Sequence, residues 1–558
     1  QNIATKIKNV IMNNIYKFAC AILTGLMLLS TTSCSEPDDE IKSVSLDRLL
    51  SPAEMELKIV DKTKVKVTIY TVNVPKYIDV KIEVDENPLA ETPTFKFLRE
   101  ETKTADELNM KAHANCTFTI DNLTYFKKYR ITLKARDEQG KVSKECSDIV
   151  TTDGIFKKNN DNDRANTSLT AKWLESINVT KLVIKKIANN AEEQVAAVTL
   201  DDTAKENCKY QHTGLDANTE YAFYIYDGDN CLGRTTLSTF PNYKELFAGS
   251  NVDFETEIAT LPDGYSLMLS PSEDTNVFNF VSGEGTESSK TITLDKSLRI
   301  IARNTKPVVL NKFAFDLNGA TGLIIENVNF VDKDKKSVFL KFNNASGEYK
   351  FSGINLEGYK NFAQDPGNTD CATSLLQIKN CFIHDGMAGR FVDFQKKKVL
   401  IEKVDIQQNT FANICNTQDF LRFDYEEGKM PSVLLAHNSF YKVNASSKGI
   451  CYIRSVDKDT QSYKAEINSN IFESCKDGQG VYFGEDAKVN GLSFKKNYYK
   501  DSPNLLTAFT AGQTAFDPDP KEYTGSAFKD AEKGDFTITN ATVSKADVGN
   551  TEFAKAEE

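Results

Sequence analysis

Histidine and tryptophan are scarce in this chain of 558 residues, which contains four His and one Trp. The four histidines, His113, His212, His384 and His437, lie far apart and lack the neighbouring Cys residues that a zinc or haem site requires. Lys and Arg number 68 against 79 Asp and Glu, so the net charge is -11, and no long basic stretch offsets it. The sequence therefore predicts no metal site and no nucleic-acid partner.

Glycine and proline are also few, at 28 and 14 residues. Because 40% of the residues are apolar, with 34 Phe and 21 Tyr, collagen-like and disordered classes are excluded. At roughly 150 residues per domain, three or four domains are expected once any exported leader is set aside.

The N-terminal region has the order of a secretory signal. Met12 opens a short polar stretch, an apolar run extends from Phe18 to Leu29, and the small residues 30–33 precede Cys34. The apolar run is too short for a permanent helix across the roughly 30 Å hydrocarbon core of a membrane.

The residues before Cys34 resemble a bacterial lipoprotein signal, although Thr31 stands where that motif usually has Leu. The resemblance implies that Cys34 carries the lipid after cleavage. The acidic string at 35–40, SEPDDE, resembles the surface-export signal of Bacteroidetes lipoproteins. Residues 1–40 are therefore interpreted as pre-sequence, signal and acidic tether, and we expect a lipid-anchored protein of the outer membrane, exposed at the cell surface.

Eleven cysteines are present, and nine remain after Cys20 leaves with the signal and Cys34 takes the lipid. An odd number excludes complete pairing within the chain. Cys116 with Cys146 and Cys208 with Cys231 could each form a bridge within one domain, but buried thiols are the default expectation.

Alternating apolar residues dominate from Ile41 to about Phe240, as in Val65, Val67 and Ile69, and they predict β-strands. Two passages repeat a Leu, a turn and a Tyr, one ending at Tyr129 and the other at Tyr221. This pattern resembles the fibronectin type III module, and Trp173 stands where that family has its core Trp. The resemblance implies two β-sandwiches, at 41–152 and 153–241, which would serve as spacers or docking modules.

A repeat with an Asn-x-aromatic core follows Pro241. Its Asn residues step by 29, 29, 32 and 27, and looser copies precede them, so that seven coils are visible: Asn327, Asn355, Asn380, Asn409, Asn438, Asn470 and Asn497. A repeat of this length with short strands predicts a β-helix over 242–520, in which each coil buries its apolar face against its neighbours. The Asn amides are expected to stack into a hydrogen-bonded ladder at one corner.

Together, the signal, the sandwiches, the laddered repeat and the tail Phe528–Ile538 resemble Bacteroidetes envelope lipoproteins of uncharacterised function. These carry a pectate-lyase-like right-handed β-helix, and the resemblance supplies no shared catalytic signature. The predicted fold class is thus all-β, with two fibronectin type III-like sandwiches, a right-handed parallel β-helix and a C-terminal tail or cap at 521–558.

A second strand in each coil supplies the candidate site. Aligning these strands gives an inward column of Phe342, Phe394, Phe423, Ile453 and Phe483. Alternation then points two flanking columns outward. One column contains Lys341, Asp393, Arg422, Tyr452 and Tyr482, and the other contains Asn343, Gln395, Asp424, Arg454 and Gly484.

The two outward columns contain candidate catalytic residues. Asp393 and Asp424 are expected roughly 8 Å apart, a separation that suits an inverting glycosidase. However, Arg422 beside Asp393 and Arg454 beside Asp424 would lower the carboxyl pKa values, which argues against acid catalysis. A pectate-type lyase would use Arg422 or Arg454 as base and carboxylates to hold Ca²⁺, but Ca²⁺ generally needs more oxygen ligands. Surface ion-pair ladders are the alternative for these four residues.

The residues of the two outward columns suit polysaccharide binding better than catalysis. Tyr452 and Tyr482 could stack against sugar rings while Arg422, Arg454, Lys341 and Gln395 hydrogen-bond hydroxyls or carboxylates. We therefore predict a surface lipoprotein that binds polysaccharide, with a glycan importer complex as a candidate partner. No cofactor is predicted, and Ca²⁺ would be needed only if the protein were a lyase. A polysaccharide lyase or hydrolase and a structural or adhesive envelope protein stay as alternatives.

Overall fold

The structure is a computed structural model that describes residues 52–553 except 176, 250–251, 279–289, 304, 368, 397, 416–417, 426–430, 444–449, 456–463, 476–480, 484–491, 504–512 and 516. The signal, Cys34 and the acidic tether lie outside the described residues. Two compact units divide the chain, residues 1–155 and residues 156–558. No helix of the described part is long and apolar enough to cross a membrane.

Sandwich 1 lies in the first unit and contains two antiparallel sheets, ordered β1-β2-β5 and β4-β3-β6-β7. Its strands are β1 (Ala53–Asp61), β2 (Lys64–Thr71), β3 (Tyr77–Asp85), β4 (Lys96–Thr104), β5 (Ala114–Ile120), β6 (Lys128–Arg136) and β7 (Cys146–Thr151). Val65, Val67 and Ile69 are fully buried, as the alternation in the sequence predicts. The Tyr129 hydroxyl accepts a hydrogen bond from the Thr124 backbone N–H at 2.8 Å, the tyrosine corner of such sandwiches.

Sandwich 2 opens the second unit and repeats the order with sheets β10-β9-β12-β13 and β11-β8. Its elements are β8 (Ser168–Lys172), β9 (Lys181–Ala188), β10 (Ala191–Thr199), α1 (Asp202–Asn207), β11 (Lys209–Thr213), β12 (Glu220–Asp227) and β13 (Asn230–Ser238). Trp173 is fully buried, and the Tyr221 hydroxyl accepts from the Asp216 N–H at 2.9 Å. Both sandwiches are therefore fibronectin type III-like.

The remainder of the second unit is a right-handed parallel β-helix with three long sheets. Sheet 1 contains β14 (Tyr243–Phe247), β15 (Ser266–Ser270), β18 (Leu298–Ala302), β21 (Gly322–Glu326), β24 (Ser346–Ser352), β27 (Cys371–Lys379), β30 (Val399–Gln407), β33 (Ser432–Ala436), β36 (Lys464–Asn468) and β39 (Leu492–Lys495). Sheet 2 contains β16 (Val277–Phe278), β19 (Val308–Asn311), β22 (Val328–Val331), β25 (Asn355–Glu357), β28 (Phe382–His384), β31 (Thr410–Ala412), β34 (Ser439–Tyr441), β37 (Ile471–Glu473), β40 (Tyr498–Lys500) and β42 (Lys521–Glu522). Sheet 3 contains β17 (Lys290–Thr293), β20 (Phe313–Asn318), β23 (Val338–Asn343), β26 (Asn361–Gln364), β29 (Val392–Phe394), β32 (Leu421–Tyr425), β35 (Cys451–Ser455), β38 (Val481–Phe483) and β41 (Gln513–Ala515). A short helix, α2 (Phe254–Ala259), packs near the first coils.

Arg303 fixes sandwich 2 to the first coils of the β-helix. Its Nε donates to Glu245 at 2.8 Å, its Nη2 to the Tyr243 hydroxyl at 3.0 Å, and its Nη1 to the Asp161 carbonyl of sandwich 2 at 3.1 Å. The guanidinium therefore links the two parts within one compact unit.

The core repeats from coil to coil. In sheet 2 the inward rings of Phe411, Phe440, Phe472 and Tyr499 stack with centroid separations of 5.1, 4.8 and 5.3 Å. These spacings match the distance between neighbouring parallel strands, so each ring packs on its equivalent in the next coil.

An asparagine ladder runs along one corner through Asn409, Asn438, Asn470 and Asn497, all fully buried. Each Nδ2 donates to the Oδ1 of the next Asn, at 3.0, 3.1 and 3.0 Å, and each of these Oδ1 atoms also accepts the backbone N–H of the preceding Asn. The ladder ends at Asp517, whose Oδ2 accepts from Asn497 at 3.0 Å. The predicted ladder is therefore present over these four coils.

The three earlier asparagines were wrongly placed in this ladder. Phe382 is in register with Thr410 rather than with Phe411, so the corner position belongs to Cys381, and Asn380 precedes it. Asn380 and Asn327 instead have φ of 53° and 61°, a left-handed turn conformation that Asn tolerates. Asn355 is the first residue of β25, one position beyond the corner. A repeat spacing cannot distinguish two Asn-favouring positions that are adjacent in the chain.

All nine cysteines of the described part are free thiols, so neither Cys116 with Cys146 nor Cys208 with Cys231 is bridged. Five of the nine are buried in the β-helix. Burial raises the pKa of Cys381 and of Cys475 to about 12, which keeps these thiols protonated and unreactive.

The C-terminal residues 523–553, here called the strap, pack across the outer face of sheet 2. They contain β43 (Phe528–Asp530), β44 (Asp535–Ile538) and α3 (Ala541–Lys545). Phe536 contacts Phe382 and Tyr441 with centroid separations of 5.5 and 5.6 Å. The predicted tail or cap is thus a lateral cover over several coils.

Candidate functional site

The outer face of sheet 3, here called the wall, carries the predicted site. Its register aligns one outward column in the order Asp316, Lys341, Gln364, Asp393, Arg422, Tyr452 and Tyr482. Strand β26 therefore places Gln364 between Lys341 and Asp393. The column predicted from the sequence passed directly from Lys341 to Asp393 and left this coil out. In the second column Asp424 is in register with Arg454, as predicted, and the inward Phe342, Phe394 and Phe423 are fully buried.

Arg422 forms its ion pair within its own strand. Its Nε and Nη2 donate to Oδ1 and Oδ2 of Asp424 at 3.2 and 3.0 Å, and its guanidinium lies 4.9 Å from the Tyr452 ring centroid. The side chain of Arg454 lies outside the described residues. Burial opposes the charge on Arg422, but the hydrogen bond and charge of Asp424 outweigh it, and the pKa of Arg422 is raised. Arg422 is consequently a poor proton-abstracting base.

Asp393 pairs with a residue that the sequence analysis did not select. Arg422 is its register neighbour, but the carboxylate contacts the Arg390 Nη1 at 3.5 Å and Nε2 of Gln395 at 3.4 Å. The Arg390 Nε also donates to Asp419 at 3.1 Å. Arg390 and Asp419 were missed because they lie in turns. A signal was nevertheless present, since each stands three residues before an outward wall residue and the two are 29 residues apart, the spacing of one coil.

The charged centre of the wall is largely buried. Asp393 and Asp424 project away from the core of the β-helix, yet they are only 6% and 4% exposed. The Arg390 and Arg422 side chains are 13% and 14% exposed. These outward charges are shielded from solvent and are held in fixed positions by their ion pairs.

Tyr452 does not have the exposed ring that the stacking role requires. It is 5% exposed, and one partner is the Arg422 guanidinium. The prediction of an accessible platform at Tyr452 is therefore wrong, because strand alternation gives the direction of a side chain and not what covers it. The Tyr482 side chain lies outside the described residues. Lys341 and Gln395 are partly exposed at the wall.

The described carboxylates of the wall centre are engaged by arginines. Within the described residues, no three His, Cys, Asp or Glu side chains are grouped so that they could hold a metal ion. Asp393 and Asp424, the two carboxylates considered for a glycosidase, each form an ion pair with an arginine. The arrangement can orient hydrogen bonds to a bound molecule.

One segment of the chain matches a protein-family model. Residues 433–551 match the model of a domain of unknown function, DUF5123. This segment contains the last coils and most of the strap. No curated protein matches the chain.

Two solved structures are similar to part of the chain. A two-domain fibronectin type III segment of chicken tenascin is 16% identical, covers 34% of this chain and 99% of that one, and has a TM-score of 0.19. The FN1–FN3 domains of chicken CNTN1 are 12% identical, cover 34% and 66%, and have a TM-score of 0.15. The strand order and the two tyrosine corners assign the sandwiches without these comparisons.

Proposed function

We propose that the β-helix binds a polysaccharide chain along its wall. The observation that carries this proposal is the column of outward residues, one per coil, in which the partly exposed Lys341 and Gln364 adjoin the ion pairs of Arg390 and Arg422. Parallel coils repeat about every 4.8 Å, so a repeating polymer can meet one outward side chain on each coil. Fixed donors and acceptors also lose little conformational entropy when a ligand binds.

The groups available to a glycan are the partly exposed side chains of the wall. Lys341, Gln364 and Gln395 are partly exposed and can donate hydrogen bonds to hydroxyl groups. Arg390 and Arg422 hold Asp393, Asp419 and Asp424 in place. Sugar recognition on this wall would therefore depend on hydrogen bonds from Lys and Gln side chains, with Tyr482 as a further candidate for stacking.

We propose the same cellular setting that the sequence indicated. A lipid on Cys34 would hold the chain on the outer membrane, and the two sandwiches would act as spacers between anchor and β-helix. A bound glycan could then pass to an importer complex.

The test is a binding screen with the purified chain carrying Cys34→Ala, which keeps lipid from contributing. Neutral and acidic polysaccharides would be immobilised, and reducing ends and unsaturated uronides would be assayed in parallel, with and without Ca²⁺. Saturable binding without product supports the proposal. Product formation would identify a hydrolase or lyase instead, and the absence of both binding and product would favour a structural or adhesive protein.

A further inference from the structure

Four amide side chains on the N-terminal part of the wall form a group that is here called the amide row. They are Asn318, Asn343, Gln364 and Gln395. The register places Asn318 beside Asn343 on successive strands, and Gln364 beside Asp393, the residue two before Gln395. Asn318 is exposed and the other three are partly exposed. Because β20, β23, β26 and β29 are successive strands of sheet 3, the amide row extends over about 14 Å, at about 4.8 Å per step.

The side chains of the amide row can both donate and accept hydrogen bonds. An Asn or Gln side chain has an NH₂ donor and a carbonyl acceptor, and a sugar hydroxyl likewise donates and accepts. Both roles occur on the wall, since Asn343 Oδ1 accepts from the Thr369 hydroxyl at 2.9 Å and Gln395 Nε2 donates to Asp393 Oδ2 at 3.4 Å. The contact between Asn343 and Thr369 is an amide–hydroxyl hydrogen bond, the kind that a neutral sugar would form.

The guanidinium groups of the wall are already bound to carboxylates. Arg390 contacts Asp393 and Asp419, and Arg422 donates twice to Asp424. Two positive charges thus face three negative ones, a net charge of -1. Both arginine side chains are at most 14% exposed, so a ligand carboxylate would have to displace a buried partner to reach either of them.

The charges beside the amide row also disfavour a ligand carboxylate. Asp365 is 2% exposed, and burial raises its pKa, with the nearby Asp393 carboxylate adding to the rise. Lys341 lies among the amides, but its register neighbour on the preceding strand is Asp316. A carboxylate bound here would therefore meet acids on the strands around it.

We propose that the wall selects a neutral, hydroxyl-rich polysaccharide over an acidic one, and that the amide row makes the selecting contacts. This inference rests on the proposed binding of polysaccharide at the wall. A neutral chain would exchange hydrogen bonds with the amides coil after coil, as Thr369 does with Asn343. An acidic chain would bring its carboxylates beside Asp365 and Asp393, where like charges cost free energy.

The experiment compares pairs of polymers that share one backbone and differ in charge. Starch, β-glucan and galactomannan are paired with forms whose primary alcohols have been oxidised to carboxylates. Polygalacturonate and alginate are paired with forms whose carboxylates have been reduced to primary alcohols. Titration calorimetry uses the full chain carrying Cys34→Ala. In each pair that binds, the neutral member should bind at least about tenfold more tightly. Its affinity should change little between about 20 and about 200 mM NaCl.

Two matched variants test the amide row on a neutral polymer that the parent binds. Asn343→Asp keeps the size of the side chain but replaces the amide donor by a negative charge. Asn329→Asp makes the same change at a partly exposed position on sheet 2. Asn343→Asp should weaken binding about tenfold, while Asn329→Asp should bind like the parent. Equal affinities for the two variants would overturn the role of the amide row.

The outcomes separate this inference from the proposed function. Tighter binding of the acidic members, with an affinity that falls as NaCl rises, would overturn neutral selection and leave polysaccharide binding standing. Lys341 and the exposed Lys396 would then be the recognising groups. No binding by any polymer would overturn the proposed function and this inference together.

Discussion

Replacing Asn438 by Leu should destabilise the β-helix more than any single change at an outward position. Its Oδ1 accepts the N–H and Nδ2 of Asn409, both at 3.0 Å, and its Nδ2 donates to the Ile406 carbonyl at 2.9 Å and to Asn470 Oδ1 at 3.1 Å. All four partners are buried with the amide, so none regains a bond to water. At about 1 kcal/mol for each buried bond, the expected loss is about 4 kcal/mol.

The position within the ladder should modulate this loss. The Asn409 Oδ1 accepts from the Cys381 N–H alone, at 2.9 Å, and its Nδ2 donates to the Ile378 carbonyl and to Asn438. Asn409→Leu therefore removes three side-chain bonds, or about 3 kcal/mol. The Nδ2 bond between Asn409 and Asn438 is counted in both single variants, so the double variant should lose about 1 kcal/mol less than the sum.

Urea unfolding of the parent, Asn438→Leu, Asn409→Leu and the double variant measures these differences. Asn329→Leu, on the outer face of sheet 2, is the control. Asn329 is partly exposed and lies on β22, so the control adds the same apolar side chain outside the ladder. Equal midpoints for Asn438→Leu and Asn329→Leu would refute the ladder's contribution. Strict additivity in the double variant would refute the coupling between coils.

Three further predictions concern the other parts of the chain. Hydrogen bonding to Arg130 outweighs burial and lowers the pKa of Glu83 to about 2, from 4.5, so its contribution to stability is present above pH 4.5 and is lost as pH falls towards 2. Glu83→Gln should remove about 3 kcal/mol at pH 7 and flatten that acid dependence in unfolding curves, whereas Glu100→Gln at an exposed site should not. Tyr129→Phe and Tyr221→Phe should each cost about 1 to 3 kcal/mol, because the Thr124 and Asp216 N–H groups lose their acceptor; melting midpoints equal to the parent would contradict the tyrosine corners. Cys34→Ala should move the protein from the membrane fraction to the soluble envelope fraction, and unchanged retention would contradict lipidation.

Local repetition explains what the sequence could predict. Residues such as Val65 and Val67 alternate within one strand, and the Asn-x-aromatic unit recurs in each of the last four coils. Each pattern reports a position relative to near neighbours, so the sandwiches, the β-helix and the ladder from Asn409 to Asn497 follow from it. The backbone pairing of Asp393 with Arg422 and of Asp424 with Arg454 also follows, because parallel register is set by the coil repeat.

The remaining features depend on contacts that no repeat encodes. In strand β26 Gln364 is followed by Asp365, whereas an aromatic or aliphatic residue follows the outward residue in the other aligned coils. Cys381 occupies the ladder corner beside a turn asparagine. Arg390 binds Asp393 from a turn, and Tyr452 is buried beside the Arg422 guanidinium, which strand alternation does not report. The strap reaches Phe382 from more than a hundred residues away, a distance that periodicity does not report.

Titration calorimetry on two matched double variants tests the binding wall most directly. Lys341→Ala with Gln364→Ala removes a Lys and a Gln from adjacent strands of sheet 3. Lys350→Ala with Gln377→Ala removes the same pair from adjacent strands of sheet 1. With a polysaccharide that the parent binds, the wall variant should bind at least about tenfold more weakly, a loss of about 1.4 kcal/mol, while the sheet 1 variant binds like the parent. Equal affinities for the two variants, or a loss confined to the sheet 1 variant, would contradict binding at the wall.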